Sequence, residues 1–102
     1  MHLKFGEITR DNQKIYVQVT ASDSLEGLAI HVSATTRGGD NVPAVTIMRE
    51  DGRSFVAILA VLRVGQQLDV MVANANGAEV ARASRYLTPI TARTLEHQHP
   101  HG

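Results

Sequence analysis

The chain has 102 residues and a mass of 11.1 kDa, which allows one domain around a single core. Ten lysines and arginines balance ten aspartates and glutamates, so the basic surplus that neutralises nucleic-acid phosphates is absent and no nucleic-acid partner is expected. Cysteine is absent, which excludes disulfides and thiolate chemistry, and the longest apolar run, residues 55–62, falls far short of the roughly 20 residues of a membrane-spanning helix.

Residues 3–9 (LKFGEIT) read as a short first strand weakened by Gly6, followed by a turn at Asp11-Asn12-Gln13. Residues 14–21 alternate, with Ile15, Val17, Val19 and Ala21 on one side, the period of a half-buried strand. Residues 22–27 (SDSLEG) form a loop, with room for one helical turn capped by Ser22 or Asp23. Residues 28–35 alternate again, placing Leu28, Ile30, Val32 and Ala34 inward and His31, Ser33 and Thr35 outward. A polar glycine-bearing loop covers 36–41, and Val42-Pro43 starts a segment that runs through Val45 and Ile47 to an Asp51-Gly52 turn.

The stretch 51–77, DGRSFVAILAVLRVGQQLDVMVANANG, opens on Asp-Gly and closes on Asn-Gly, dipeptides that supply positive φ in tight turns. Its two apolar runs read as strands over 54–64 and 68–73, the organising hairpin of the chain. Residues 78–87 make a last, edge-like strand. Seven strands with turn signals about every ten residues predict an all-β, antiparallel, immunoglobulin-like β-sandwich over residues 1–89. Residues 90–102 read as a flexible, histidine-containing tail.

The piece 51–84 resembles the second half of bacterial immunoglobulin-like and fibronectin type III-like modules: an Asp-Gly turn, a strand, a glycine corner at Val64-Gly65-Gln66-Gln67, an alternating strand, and an Asn74-Ala75-Asn76-Gly77 hairpin. It departs from them in placing Leu68 where a tyrosine follows the corner glycine, and in lacking a core tryptophan. The resemblance implies non-catalytic structural, adhesion or accessory work within a larger bacterial or phage protein. It also implies a place on a cell surface, in secreted material or on a phage particle if the chain is an excised domain.

Three sets of residues are candidates for function. The first is the two-sided apolarity of the run after Ser54: Val56, Ile58, Leu62 and Val64 together would form a patch for a protein partner, a neighbouring domain or a second copy. The second is loop recognition through Arg37, Asp40, Asn41, Asn74 and Asn76, with the loop at 22–27 beside them. The third is His97, His99 and His101, spaced about 7 Å apart in an extended segment; neutral imidazole suits copper, nickel or zinc. Against that stands Leu95-Glu96-His97, which reads like the start of a vector-derived histidine tail. His31 next to Ser33 would support hydrolysis only with a third residue to orient the imidazole, and no G-x-S-x-G elbow presents a serine. The expectation is a chain without cofactor or catalysis that works by contact, with metal carriage through the three C-terminal histidines as the alternative.

Overall fold

The computed structural model describes residues 1–11, 13–42, 45–62 and 64–88. Among them the chain forms β1 (Leu3–Arg10), β2 (Lys14–Ala21), β3 (Ala29–Thr36), β4 (Thr46–Arg49), β5 (Ser54–Ala60), β6 (Gln66–Ala73) and β7 (Glu79–Leu87), with no helix. Two antiparallel sheets result, one ordered β1-β2-β5-β4 and the other β3-β6-β7. Four strands against three in this order is the arrangement of constant-type immunoglobulin domains, so the fold class matches the sequence expectation.

Alternation drives the assembly. Ile15, Val17 and Val19 of β2 and Phe55, Ala57 and Leu59 of β5 turn inward and meet Leu68, Val70 and Val72 of β6, all of them buried. The two central strands of the larger sheet therefore face the central strand of the smaller one. In β1 the alternation is interrupted between Phe5 and Ile8, where Gly6 and Glu7 together face Gln18. This bulge lets Phe5 and Ile8 both pack against the core, and a Cβ at Gly6 would meet Gln18 Oε1 at 3.0 Å.

The stretch 51–77 is not a hairpin. β5 is already paired on both sides, by β2 and β4, so β6 finds its partners in the other sheet, β3 and β7. The strand expected over 54–64 ends at Ala60, and the chain crosses between sheets through a corner at 61–65. Val61 N–H donates to Gln13 O at 3.0 Å, and Arg37 N–H to Gly65 O at 3.2 Å. Gln66, only 2% exposed, donates from Nε2 to Ala60 O at 3.0 Å. Tyr86 lies against the bare α-carbon of Gly65, in space that a Cβ would occupy. The aromatic cover of the corner thus comes from β7, which is how the chain manages with Leu68 after the glycine.

Antiparallel order places alternate connections at opposite ends. Residues 22–28, the turn at 50–53 and the hairpin at 74–78 share the first end with Met1 and His2; Ser22 N–H donates to His2 O at 2.9 Å and Leu25 N–H to Gly52 O at 2.7 Å. The turn at 11–13, the segment after Thr36, the corner at 61–65 and the end of β7 share the second. Residues 22–28 contain no helical turn. Instead Leu25 is fully buried as a plug in the first end, and Arg49 of β4 donates to the carbonyls of Leu25 at 3.1 Å and Leu28 at 2.6 Å.

Two turns are closed by aspartate side chains. Asp11 Oδ1 accepts the N–H groups of Gln13 and Lys14 at 2.8 and 2.7 Å while its Oδ2 accepts the Tyr16 hydroxyl at 2.8 Å. Asp51 Oδ1 accepts from Arg53 N–H at 2.8 Å and Ser54 N–H at 2.9 Å. These bonds, led by the one from Gln13 at Asp11 and from Arg53 at Asp51, hold both carboxyls below the ordinary 3.8. A lowered native value stabilises the fold fully above the unfolded value and is lost as pH falls through the native one. The melting temperature is therefore expected to fall on acidification below 3.8, and to fall less in the variant Asp11→Asn/Asp51→Asn, as read by thermal melts across that range.

Candidate functional site

The outer face of the four-stranded sheet carries an apolar cluster turned away from the core. Tyr16 of β2 lies directly opposite Ile58 of β5, and Gln18 opposite Val56, which is in turn opposite Met48 of β4. Val56 and Ile58 are half-buried among these neighbours, belong to no core cluster, and sit beside Met48, which is 51% exposed. Tyr16 is held in place by its bond to Asp11, and Gln18 by donation from Nε2 to Glu50 at 3.2 Å. A groove of about 160 Å³ runs over β2, lined by Glu7, Thr9, Tyr16, Gln18, Glu50 and Val56.

The four-residue patch anticipated from the sequence is divided. Val56 and Ile58 share the outer face, whereas Leu62 turns against the core just past the end of β5, and Val64 stands exposed at the corner. The continuous alternation assumed over 54–64 is broken at Ala60, so parity stops predicting the face. Tyr16 and Met48 complete the surface instead. Both occupy outward positions of strands paired with β5, a signal that becomes readable only once the strand order is known.

The recognition loops are divided as well. Arg37, Asp40 and Asn41 lie at the second end, while Asn74 and Asn76 lie at the first, beside residues 22–28. Asn74 is committed to its own turn: its Oδ1 accepts the N–H groups of Asn76 and Ala78 at 2.9 and 3.0 Å, with Gly77 at a φ of 82°. The 36–41 turn is likewise closed on itself, Thr36 N–H donating to Asp40 O at 2.8 Å and Asp40 N–H to Thr36 Oγ1 at 3.2 Å.

The outer face of the smaller sheet offers a different chemistry. His31 lies opposite Met71 and Ser33 opposite Asp69, around a depression of about 170 Å³ that Arg82 also lines. Asp69 accepts the hydroxyl of Ser84, and Arg82 pairs with Glu79 at 2.8 Å. No described residue hydrogen-bonds the His31 imidazole, so the orienting third member that a Ser-His nucleophile needs is not assembled here. His97, His99 and His101 lie outside the described residues. Among the described residues no group of three or more metal-ligating side chains occurs, and no helix is long and apolar enough to cross a membrane. His2 sits at the first end, whereas β7 delivers the chain to the second.

No protein-family model matches the chain, and no curated protein matches its sequence. Solved structures do. Two structures of the ZP1 ZP-N1 domain homodimer, from work on the molecular basis of egg coat filament cross-linking, resemble it with a TM-score of 0.59 each. Identities are 13% and 9%; the match covers 84% of this chain in both and 95% and 89% of the other. The likeness is one of fold.

Proposed function

We propose that this chain is a non-catalytic interaction module that docks onto protein through the outer face of its four-stranded sheet, as an accessory or structural unit of a larger bacterial or phage protein. The observation that carries the reading is the cluster of Tyr16, Met48, Val56 and Ile58. A sheet face meant for water alternates to polar residues, and here β5 keeps valine and isoleucine on that side between a tethered tyrosine and an exposed methionine. Aromatic and methionine enrichment is the composition of interface centres. The neighbours of like fold are domain homodimers described in work on egg coat filament cross-linking, which supports a contact role, and the turn rhythm of 51–77 supports the affiliation with immunoglobulin-like modules.

The test is partner-independent. A photo-reactive phenylalanine analogue placed at position 58 is expected to form protein adducts in the native host, and Ile58→Lys to abolish the wild-type chain's association while leaving its melting temperature within a few degrees. The same probe at position 33, on the opposite outer face, is the control. Equal labelling from both positions, or none from position 58, would remove the proposal.

A further inference from the structure

The docking face is self-complementary. In the row that contains Gln18 and Val56, the β4 member is the exposed Met48 and the β1 member is the bulged pair Gly6-Glu7 beside the groove. In the next row toward the first end, Lys4 on β1 faces Thr20, Thr20 faces Ser54, and Glu50 N–H donates to Ser54 O at 3.0 Å. That row therefore has the Lys4 ammonium on its β1 side, while Glu50 enters from the β4 side and turns its carboxylate inward to Gln18.

A two-fold axis parallel to the strands, passing between β2 and β5, exchanges β2 with β5 and β1 with β4. Applied to two copies face to face, it sets Tyr16 over Ile58 of the second copy, Met48 over the bulge and its groove, and Lys4 over Glu50, each contact made twice. We infer that this chain forms an isologous homodimer through the outer face of the four-stranded sheet, with Met48 of each copy seated in the groove over β2 of the other. The inference rests on the reading of that face as a docking surface and adds the occupant and the geometry.

Four features favour a second copy as the occupant. The groove and the knob that lacks a place are on the same face and are brought together by the same operation that pairs Lys4 with Glu50. Aligned packing of the two sheets about this axis keeps the central Tyr16 and Ile58 contacts in register. The size is sufficient for a weak dimer: four strands about 4.8 Å apart and about seven residues long at about 3.4 Å each present roughly 450 Å² per copy. Roughly 900 Å² in total is at the low end of specific interfaces, which corresponds to transient association. Tyr16 and Gln18 are already fixed by Asp11 and Glu50, so little side-chain ordering opposes it.

Sedimentation equilibrium of the full chain, up to about 1 mM to reach weak dimers, is expected to show a monomer–dimer equilibrium that weakens as salt rises. Met48→Ala is expected to weaken it about tenfold or more, as truncation of a central anchor does. Lys4→Glu and Glu50→Lys are each expected to lose the dimer, because each places like charges opposite one another twice. An equimolar mixture of those two variants is expected to regain it, since every pair is then of opposite sign. Both positions are solvent-exposed, and circular dichroism confirms folding of each variant. A wild-type chain that stays monomeric, or a mixture that fails to regain the dimer, overturns the inference. A monomer that still cross-links from position 58 to other proteins removes the homodimer and leaves the docking face standing. A dimer that survives Ile58→Lys removes both.

Discussion

Leu25→Ala is expected to lower the unfolding free energy by about 2–5 kcal/mol, as much as a truncation in the centre of a core. Such a loss is unusual for a residue between strands. Leu25 is nevertheless fully buried, and its N–H is bonded to Gly52 O, so the cavity left behind is walled by two connections tied to each other. A domain of this size has roughly 5–15 kcal/mol in total, so the variant would lose a large part of its margin. Urea unfolding should show a lower midpoint with an unchanged slope. Glu26→Ala, at an exposed neighbour, should stay within about 0.5 kcal/mol of wild type.

Arg49→Met carries the second large effect. The methionine keeps an unbranched stem along β4 and removes the guanidinium that serves the carbonyls of Leu25 and Leu28. Hydrogen bonds from charged donors contribute about 1.5–3 kcal/mol each when sheltered. Arg49 is exposed and water replaces part of what is lost, so about 1–2 kcal/mol in total is expected. The two variants act on one plug, so the double variant should be less damaged than the sum, by about 0.5 kcal/mol or more. Amide exchange offers a local reading: the Leu28 N–H, bonded to Leu25 O at 3.0 Å, should exchange faster in Arg49→Met while the amides of β6 remain protected.

The strands were legible wherever one face is wet. Residues 14–21 alternate without a fault, and β2 occupies the same span. The partnership of strands was not legible, because alternation reports which side chains turn inward and nothing about which neighbour accepts the backbone. That is why 51–77 reads as a hairpin when β5 and β6 belong to different sheets. Arg49 was missed for a related reason: its partners are 24 and 21 residues away and appear only when the strands have been placed. Two other points were within reach. A lone leucine inside SDSLEG is a poor fit for a solvated loop and a good one for a plug. An all-antiparallel order puts successive connections at alternate ends, so 22–27 and 36–41 had to lie apart.

The chain enters β1 at one end of the sandwich and leaves β7 at the other, and these two strands run side by side in the same direction. A pull applied ahead of Leu3 and beyond Leu87 acts along the strands, so the β1–β2 and β6–β7 ladders are strained in shear, with their hydrogen bonds stretched together instead of opened one after another. Resistance in that geometry is set by the rate of unfolding. A unit inserted in a filament or fibre through its two termini would therefore hold far better along its axis than if it were peeled from one edge.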